Sequence, residues 1–182
     1  MRTLVREELF AYLKQDPPLV DGLLDPEIQV QPHGIDLSVA EIRRILAPGR
    51  IGFDSDHTLL PPGEPVPFTL SPEEAGVPSG PGGGRWAFLA PGAYRIRLAE
   101  WVHLPTDVYA LARPRSSLLR MGVHVGTALW DAGYSGRGEA LIVVHNPEGI
   151  YMAHRARVLQ LVFFLLDEPP QVGYRGRYQG VG

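Results

Sequence analysis

The sequence predicts an all-β fold with one short helix near the N-terminus. Apolar stretches rich in Val, Ile and Leu are interrupted by Pro or Gly about every ten residues, a spacing typical of β-sandwiches and β-barrels. Hydrophobic residues make up 45% of the 182 positions, which is enough for one soluble domain with its own core. We therefore expect a single β domain over residues 1–168 and an arm over residues 169–182.

The first helix is predicted over residues 4–13, where apolar residues recur at helical spacing. Thr3 is a candidate N-cap, and the helix should end before Pro17. A second, shorter helix is predicted over residues 117–121.

Strands are predicted for the apolar stretches that follow the first helix. The segment 61–85, which ends in PSGPGGGR, lacks the Lys-Ser/Thr pair and the following helix of a phosphate-binding loop, so we expect a mobile surface loop there. The predicted strands are residues 28–31, 35–45, 86–89, 93–98, 108–113, 123–129, 140–145 and 157–166.

Composition excludes several function classes. The chain has no cysteine, which excludes disulfides, thiolate nucleophiles and cysteine-ligated zinc. Its six histidines form no HxxxH or HExxH pair, so a histidine-built metal site requires long-range assembly. The longest apolar run, residues 158–166, is too short to span a bilayer, and the N-terminus lacks a signal-peptide pattern, so we expect a cytoplasmic protein without a membrane partner.

Charge argues against a nucleic-acid partner, because such proteins usually carry a basic surface and this chain has a net charge of −3. Lys14 is the only lysine among the 17 basic residues. The planar guanidinium of arginine suits bidentate phosphate contacts, but codon bias or adaptation to heat explains the preference equally well.

The run ARPRSSLLRMG, residues 112–122, is a candidate anion site. Ser116 and Ser117 lie between Arg115 and Arg120 at the end of a predicted strand. Hydroxyls, guanidinium groups and the free N–H groups of a helix start would converge there. The alternative is that a serine only caps the helix and the arginines are solvated.

The run TALWDAGYSGRGE, residues 127–139, joins two predicted strands. Asp131 and Tyr134 stand three residues apart in it. A turn residue is the simplest explanation for Asp131 alone. Its proximity to a phenol and to a candidate anion site indicates a second functional segment.

These two runs, together with QVQPHGIDLSV, HNPEGIYMAHRARVLQLVFF and the YRGRY tail, resemble the dUTPase family in its archaeal-type branch, which is related to dCTP deaminase. The blocks follow the family's order from Gln29 onward. The resemblance implies a distorted jelly-roll or β-clip barrel, a homotrimer, and hydrolysis of dUTP to dUMP and pyrophosphate.

The resemblance also implies roles for the hairpin. Thr127 and Ala128 would bind the nucleoside largely through backbone groups, and Tyr134 would pack under the sugar and exclude a 2′-hydroxyl. Asp131 would be the general base that orients water toward the α-phosphate, since aspartate is ionised at neutral pH. Mg²⁺ would be held by the substrate phosphates with no direct protein ligand predicted.

The other motifs would supply phosphate contacts and support. Arg115, Ser116 and Ser117 match the phosphate-binding motif, although Arg115 also suits a structural or interface role. The remaining matches are Gln160 near the base, with Asp36, Arg120 and Glu139 as supporting residues; a structural role suits Asp36 and Gln160 equally well.

The arm resembles the family's flexible glycine-rich lid, which closes over a nucleotide bound by other subunits. Tyr174 or Tyr178 would stack on the base, and Arg175 or Arg177 would reach phosphate.

Two alternatives remain open from sequence. A dCTP deaminase, alone or combined with dUTPase activity, would need a glutamate at the place that Val143 occupies, since valine cannot shuttle a proton. Glu139 is the nearest acid and would reach that place only by a register shift. The other alternative is a non-catalytic trimer that binds deoxynucleotides, for which retention of Asp131 and Tyr134 has no evident use.

Overall fold

The computed structural model describes residues 1–54, 56–77 and 84–181. Within them the chain forms fourteen strands, all paired antiparallel, and three short helices. The predicted all-β fold is confirmed. The strands are β1 (Arg2–Thr3), β2 (Val20–Asp21), β3 (Val30–Gln31), β4 (Gly34–Ile45), β5 (Gly63–Pro65), β6 (Trp86–Leu89), β7 (Gly92–Leu98), β8 (Trp101–His103), β9 (Val108–Pro114), β10 (Val123–Gly126), β11 (Ser135–Gly136), β12 (Glu139–Val144), β13 (Ile150–Ala153) and β14 (Arg157–Leu165). The helices are α1 (Arg6–Tyr12), α2 (Pro26–Gln29) and α3 (Ser116–Arg120).

Nine of these strands form one sheet with the order β1-β14-β4-β7-β12-β10, in which β9 also pairs with β14 and β3 and β5 pair with β4. Two small sheets, β11-β8-β2 and β13-β6, lie beside it. None of the three helices has the length or the hydrophobicity that a bilayer crossing requires, within the described part of the chain.

The long strand β4 belongs to both halves of the main sheet. Its first half pairs with β14 and its second half with β7, and the register shifts between Val39 and Glu41. A second shift lies between Arg157 and Leu159 in β14. Such irregularities bend a strand and increase its twist, so the sheet curls on itself. The predicted distorted jelly-roll is confirmed.

Alternation along the strands separates the core from an outer face. In β7, Tyr94, Ile96 and Leu98 are buried, while Arg95 and Arg97 between them point to the other side. Strand β12 follows the same pattern, with alternate residues fully or nearly fully buried. The outer face of β7 and β12 is therefore free to line a site.

The N-terminal helix is shorter than predicted, and Thr3 as its N-cap is wrong. Thr3 lies in β1 opposite Phe164, so the sheet takes its backbone groups. Val5 is the N-cap residue, and the Glu8 carboxylate accepts a hydrogen bond from the Val5 N–H at 3.1 Å. The second helix is confirmed within one residue, as α3.

The strand predicted at 28–31 is wrong in its first half. Asp25 accepts hydrogen bonds from the N–H groups of Glu27 and Ile28 at 2.9 and 3.3 Å, and Pro26 holds the first helical position, so these residues form α2. The strand predicted at 123–129 ends at Gly126, because the chain leaves the sheet there.

Within the segment 61–85, residues 61–77 pair and pack with the rest of the chain, which differs from the predicted mobile loop. Residues Gly63–Pro65 form β5 on the edge of β4, and Leu70 forms a bridge with Trp86. Phe68 packs against the core and contacts the His154 ring edge-on at 5.1 Å. Most of the glycine-rich run, residues 78–83, lies outside the described residues.

Candidate active site

A hairpin leaves the main sheet after β10 and returns at β12, and Trp130 anchors it. Trp130 and Ala110 exchange two backbone hydrogen bonds of 3.1 and 2.9 Å, and the indole ring is buried. A Cβ at Gly138 would lie 2.7 Å from that ring, so only glycine lets the returning strand pass it. The hairpin thus has a fixed base.

At the tip of this hairpin the chain turns through Gly133, which has a φ of +83°. The Tyr134 N–H donates to the Asp131 carbonyl at 3.1 Å. The Tyr134 ring is buried, and this burial, with smaller contributions from Tyr174 and Glu139, raises the pKa of its phenol to about 12. The turn therefore directs a neutral phenol inward and leaves the Asp131 side chain exposed.

A cavity of about 660 Å³, which we call the hairpin cavity, lies between the hairpin, the outer face of β7 and β12, and the C-terminal tail. Its lining includes the predicted nucleoside residues Thr127, Ala128 and Tyr134, and Asp131 lies at its edge, where a second cavity also begins. The structure brings these four residues together. Its charged lining residues are Arg95, Asp131, Arg137, Glu139 and Arg177.

Cations outnumber anions in the hairpin cavity by three to two. Glu139 is partly neutralised by Arg95, whose Nε lies 3.5 Å from a Glu139 carboxylate oxygen. The remaining positive charge lines the same cavity as the buried ring of Tyr134, a combination that favours an anionic molecule with a flat or apolar part.

The tail lies against the hairpin of its own chain. Backbone hydrogen bonds of 2.8 Å join Tyr174 to Ala132, Gly180 to Ser135 and Arg137 to Val181. The Tyr174 ring meets the Tyr134 ring edge-on, with centroids 5.5 Å apart. Tyr174, Arg177 and Tyr178 line the hairpin cavity, whereas the predicted phosphate ligand Arg175 is exposed and not in its lining.

Gln179 is a tail residue that sequence reasoning missed. Its side-chain carbonyl accepts from the Ser135 N–H at 3.1 Å, and its amide donates to the Gly133 carbonyl at 3.1 Å. A glutamine in a glycine-rich tail gives no sequence signal for this pairing, which depends on the position of the hairpin backbone.

A second group, the serine–arginine cluster, consists of Asp36, Arg115, Ser116, Ser117, Arg120 and Arg157. One Asp36 oxygen accepts hydrogen bonds from Arg115 at 2.8 Å and from Arg157 at 3.1 Å. Burial raises the pKa of Asp36, against the lowering effect of these two guanidinium groups. The Ser116 hydroxyl accepts from Arg120 at 3.3 Å, and both serines are exposed at the start of α3.

Gln160 lies beside this cluster, because it is paired with Asp36 across β14 and β4. Arg157 was not predicted; its role as a second partner of Asp36 becomes visible only when β14 is placed beside β4. Of the described residues, no member of the serine–arginine cluster lines the hairpin cavity, and β10 separates α3 from the hairpin. A single chain therefore holds two groups of predicted site residues apart.

A fully buried carboxylate, Glu100, was also missed. It accepts hydrogen bonds from the Ser38 N–H at 2.8 Å, the Ser38 hydroxyl at 2.6 Å and the Gln29 amide at 3.0 Å. The same Gln29 amide donates to the Asp36 carbonyl at 2.9 Å. This network connects the helix α2 to the strand that carries Asp36.

Metal ligands are sparse in the site. Within the ranges 1–54, 56–77 and 84–181, no three His, Asp or Glu side chains are grouped so that they could hold a metal ion.

Comparison with known proteins identifies a family and relatives for this chain. The family model described as dCTP deaminase-like matches residues 4–166. A probable deoxyuridine 5'-triphosphate nucleotidohydrolase of Methanococcoides burtonii is 40% identical over 179 residues, which cover 98% of either chain. A protein of the same name from Archaeoglobus fulgidus is 42% identical over 168 residues, which cover 92% of this chain and 90% of that one.

The fold has a counterpart among solved structures. The 2'-deoxycytidine 5'-triphosphate deaminase of Agrobacterium tumefaciens superposes with a TM-score of 0.64 at 22% identity, over 90% of this chain. The match covers 48% of the deaminase chain, so this protein spans about half its length. The resemblance seen in the sequence motifs is confirmed by the family model and the relatives. The chain belongs to the dCTP deaminase-like family.

Proposed function

We propose that the protein hydrolyses dUTP to dUMP and pyrophosphate, with the nucleoside in the hairpin cavity. The observation that carries the proposal is the pairing of an exposed carboxylate, Asp131, with a buried aromatic ring, Tyr134, on one tight turn. Relatives named as probable dUTP nucleotidohydrolases, 40% and 42% identical, support the choice of reaction.

The deoxyribose would lie on Tyr134. Its ring is 7% exposed and is held on one side by the edge of Tyr174, so it cannot withdraw to make room for a 2′-hydroxyl. Thr127 and Ala128 lie in the chain between β10 and the Trp130 bridge, and their backbone groups are free of the sheet ladder to bind the base.

Asp131 would orient the attacking water toward the α-phosphorus. Its carboxylate lies at the edge of the hairpin cavity, three residues before the ring that would hold the sugar. In a bound deoxynucleotide the α-phosphate is bonded directly to the sugar. A general base at this edge of the cavity would therefore lie next to the α-phosphorus.

The residues at this edge fit a Mg²⁺ ion that the triphosphate carries. Mg²⁺ keeps several waters and is usually bound through one or two carboxylates and substrate phosphates. Asp131 is assigned to the attacking water, so the ligands of the ion would be phosphate oxygens and water, with no direct protein ligand. The ion would withdraw negative charge from the phosphates and fix their geometry.

A complete site requires a second subunit. The serine–arginine cluster offers hydroxyl and guanidinium donors for phosphate, but it lies apart from the hairpin cavity of its own chain. We propose a homotrimer in which the hairpin cavity of one subunit faces the serine–arginine cluster and Gln160 of another.

The tail would close over the bound nucleotide. Tyr174, Arg177 and Tyr178 already line the hairpin cavity, so small movements would bring a ring to the base and a guanidinium to phosphate. Arg175 is exposed and would reach phosphate only after a larger movement of the tail.

Deamination is the less favoured reaction. Val143 lies in β12 opposite His124, in the place where a deaminase needs its acid, and valine transfers no proton. Glu139 is four residues away and is engaged by Arg95. A non-catalytic role leaves the exposed Asp131 carboxylate unexplained.

The test is incubation of the protein with Mg²⁺ and either dUTP or dCTP, with pyrophosphate release and the ultraviolet change of amino-group loss followed together. We expect pyrophosphate from dUTP, and an Asp131→Asn variant should bind dUTP but turn over at least about 100-fold more slowly. Asp56→Asn, at an exposed carboxylate outside the site, is the control. Ammonia from dCTP without pyrophosphate, or full activity of Asp131→Asn, would refute the proposal.

A further inference from the structure

Arg137 carries a guanidinium group that lacks a protein partner. Its Nε atom is buried without a hydrogen-bond acceptor. Across residues 1–54, 56–77 and 84–181 its side chain forms no hydrogen bond or ion pair, whereas the three other arginines with an unpaired buried Nε each face a glutamate. Buried donors are normally satisfied, so an orphaned one inside a cavity indicates a missing ligand.

The position of Arg137 in the hairpin cavity points to one part of that ligand. A Cβ on either neighbour, Gly136 or Gly138, would touch the Tyr134 hydroxyl at 2.8 Å or the Trp130 ring at 2.7 Å. The segment 136–138 is thus held close to the Tyr134 and Trp130 rings, and Arg137 lines the same cavity as these rings.

Arg137 lines the same cavity as the residues proposed to bind the nucleoside. It lies between β11 and β12, three residues after the buried ring of Tyr134. A base held by the backbone of Thr127 and Ala128 in this cavity would therefore have the Arg137 guanidinium among its neighbours.

We propose that Arg137 donates a hydrogen bond to the O4 carbonyl of uracil and so selects uracil over cytosine. This inference rests on the proposed function, in which a deoxynucleotide occupies the hairpin cavity. Uracil presents a carbonyl acceptor at position 4, whereas cytosine presents an amino donor there. A guanidinium group has hydrogen-bond donors only. With cytosine in the cavity, the Arg137 N–H would face the amino group at position 4 and would have no acceptor there.

The test is calorimetric binding of dUMP and dCMP to the full chain, wild type and Arg137→Met. Methionine keeps the length of the side chain and removes every donor. We expect the affinity for dUMP to fall by about 10- to 100-fold, the loss typical of one hydrogen bond to a charged group, with little change for dCMP. Arg137→Lys keeps the charge without the planar fork and should lose most of the preference as well.

Controls separate this role from a structural one. Arg85→Met removes an exposed arginine outside the cavity and should leave both affinities unchanged. Because Arg137→Met deletes an orphaned donor, its thermal midpoint and oligomeric mass should equal those of the wild type. Equal losses for both nucleotides, no loss for either, or a change in oligomeric mass would overturn the inference.

The outcome is independent of catalysis. A wild-type protein that prefers dUMP through Arg137 but releases no pyrophosphate from dUTP would contradict the proposed function and support the selectivity. If the wild type releases pyrophosphate from dUTP but Arg137→Met keeps the wild-type preference for dUMP, the proposed function is supported and the role of Arg137 is contradicted.

Discussion

The buried carboxylate of Glu100 predicts a large loss of stability when it is removed. Glu100 and Ser38 are each 0% exposed, and Gln29 is 3% exposed, so no water replaces a lost partner without reorganising the core. In Glu100→Ala the Ser38 N–H and hydroxyl both lose their acceptor, while the Gln29 amide keeps the Asp36 carbonyl at 2.9 Å. Arg155 loses a carboxylate at 3.8 Å but keeps the Gly22 carbonyl at 2.6 Å. The orphaned Ser38 N–H is the main polar consequence, because its direction is fixed whereas the hydroxyl can rotate.

The expected size follows from two contributions. An unsatisfied buried donor costs about 1–3 kcal/mol, and the space left by the truncated side chain costs about 1 kcal/mol for the lost methylene contacts. Removal of a buried charge offsets part of this. We expect the free energy of unfolding to fall by about 2–4 kcal/mol, which in a chain of 182 residues lowers the thermal midpoint by about 4–16 °C.

The assay is denaturant unfolding at one fixed protein concentration, because the stability of an oligomer depends on concentration. Glu148→Ala, at an exposed glutamate, is the matched control and should stay within about 0.5 kcal/mol of the wild type. A change below about 1 kcal/mol in Glu100→Ala would show that the network does not stabilise the strand carrying Asp36.

The remaining predictions concern the tail and pH. Gln179→Ala removes two 3.1 Å hydrogen bonds to the hairpin, so the Ser135 amide should exchange with solvent about 5- to 100-fold faster, with unchanged exchange as the contrary result. Burial lowers the pKa of His103 from its usual 6.5 despite the opposing effect of Asp21. The unfolded state then binds more protons, so the stability contribution of His103 is complete above about pH 6.5 and declines as pH falls below it. In chemical denaturation, the free energy of unfolding of His103→Gln should fall less between about pH 7 and pH 5 than that of the wild type. An equal fall in both proteins would contradict this prediction.

The strand pattern was predictable from sequence wherever alternation and length are strong. The predicted β6 is observed without change, and β4, β7 and β14 differ from prediction only at their ends. The errors fall where tertiary pairing overrides local signals. Thr3 has the chemistry of an N-cap, but pairing with Phe164 places it in a strand.

The two-residue strands β2 and β11 were not predictable, because they carry no hydrophobic period and exist only through β8 between them. Strand β13, although longer, was missed because its pairing with β6 gives no local signal.

Residues of the candidate site also differ in how far the sequence alone could identify them. Asp131 and Tyr134 could be identified from the turn sequence that holds them together, since their proximity is local. Arg157 and Glu100 could not be identified, because their partners Asp36 and Ser38 lie far away in the chain. Arg137 could not be identified because the sequence does not show that its Nε lacks a hydrogen-bond acceptor.

The central claim, that water held at Asp131 attacks the α-phosphorus, is tested most directly by hydrolysis of dUTP in water enriched in ¹⁸O. Attack at the phosphorus next to the sugar transfers the label to dUMP, and mass spectrometry should find it there and not in pyrophosphate. Label in pyrophosphate would place the attack at the β-phosphorus, away from the carboxylate that stands three residues from the sugar-binding ring, and would contradict the proposed mechanism.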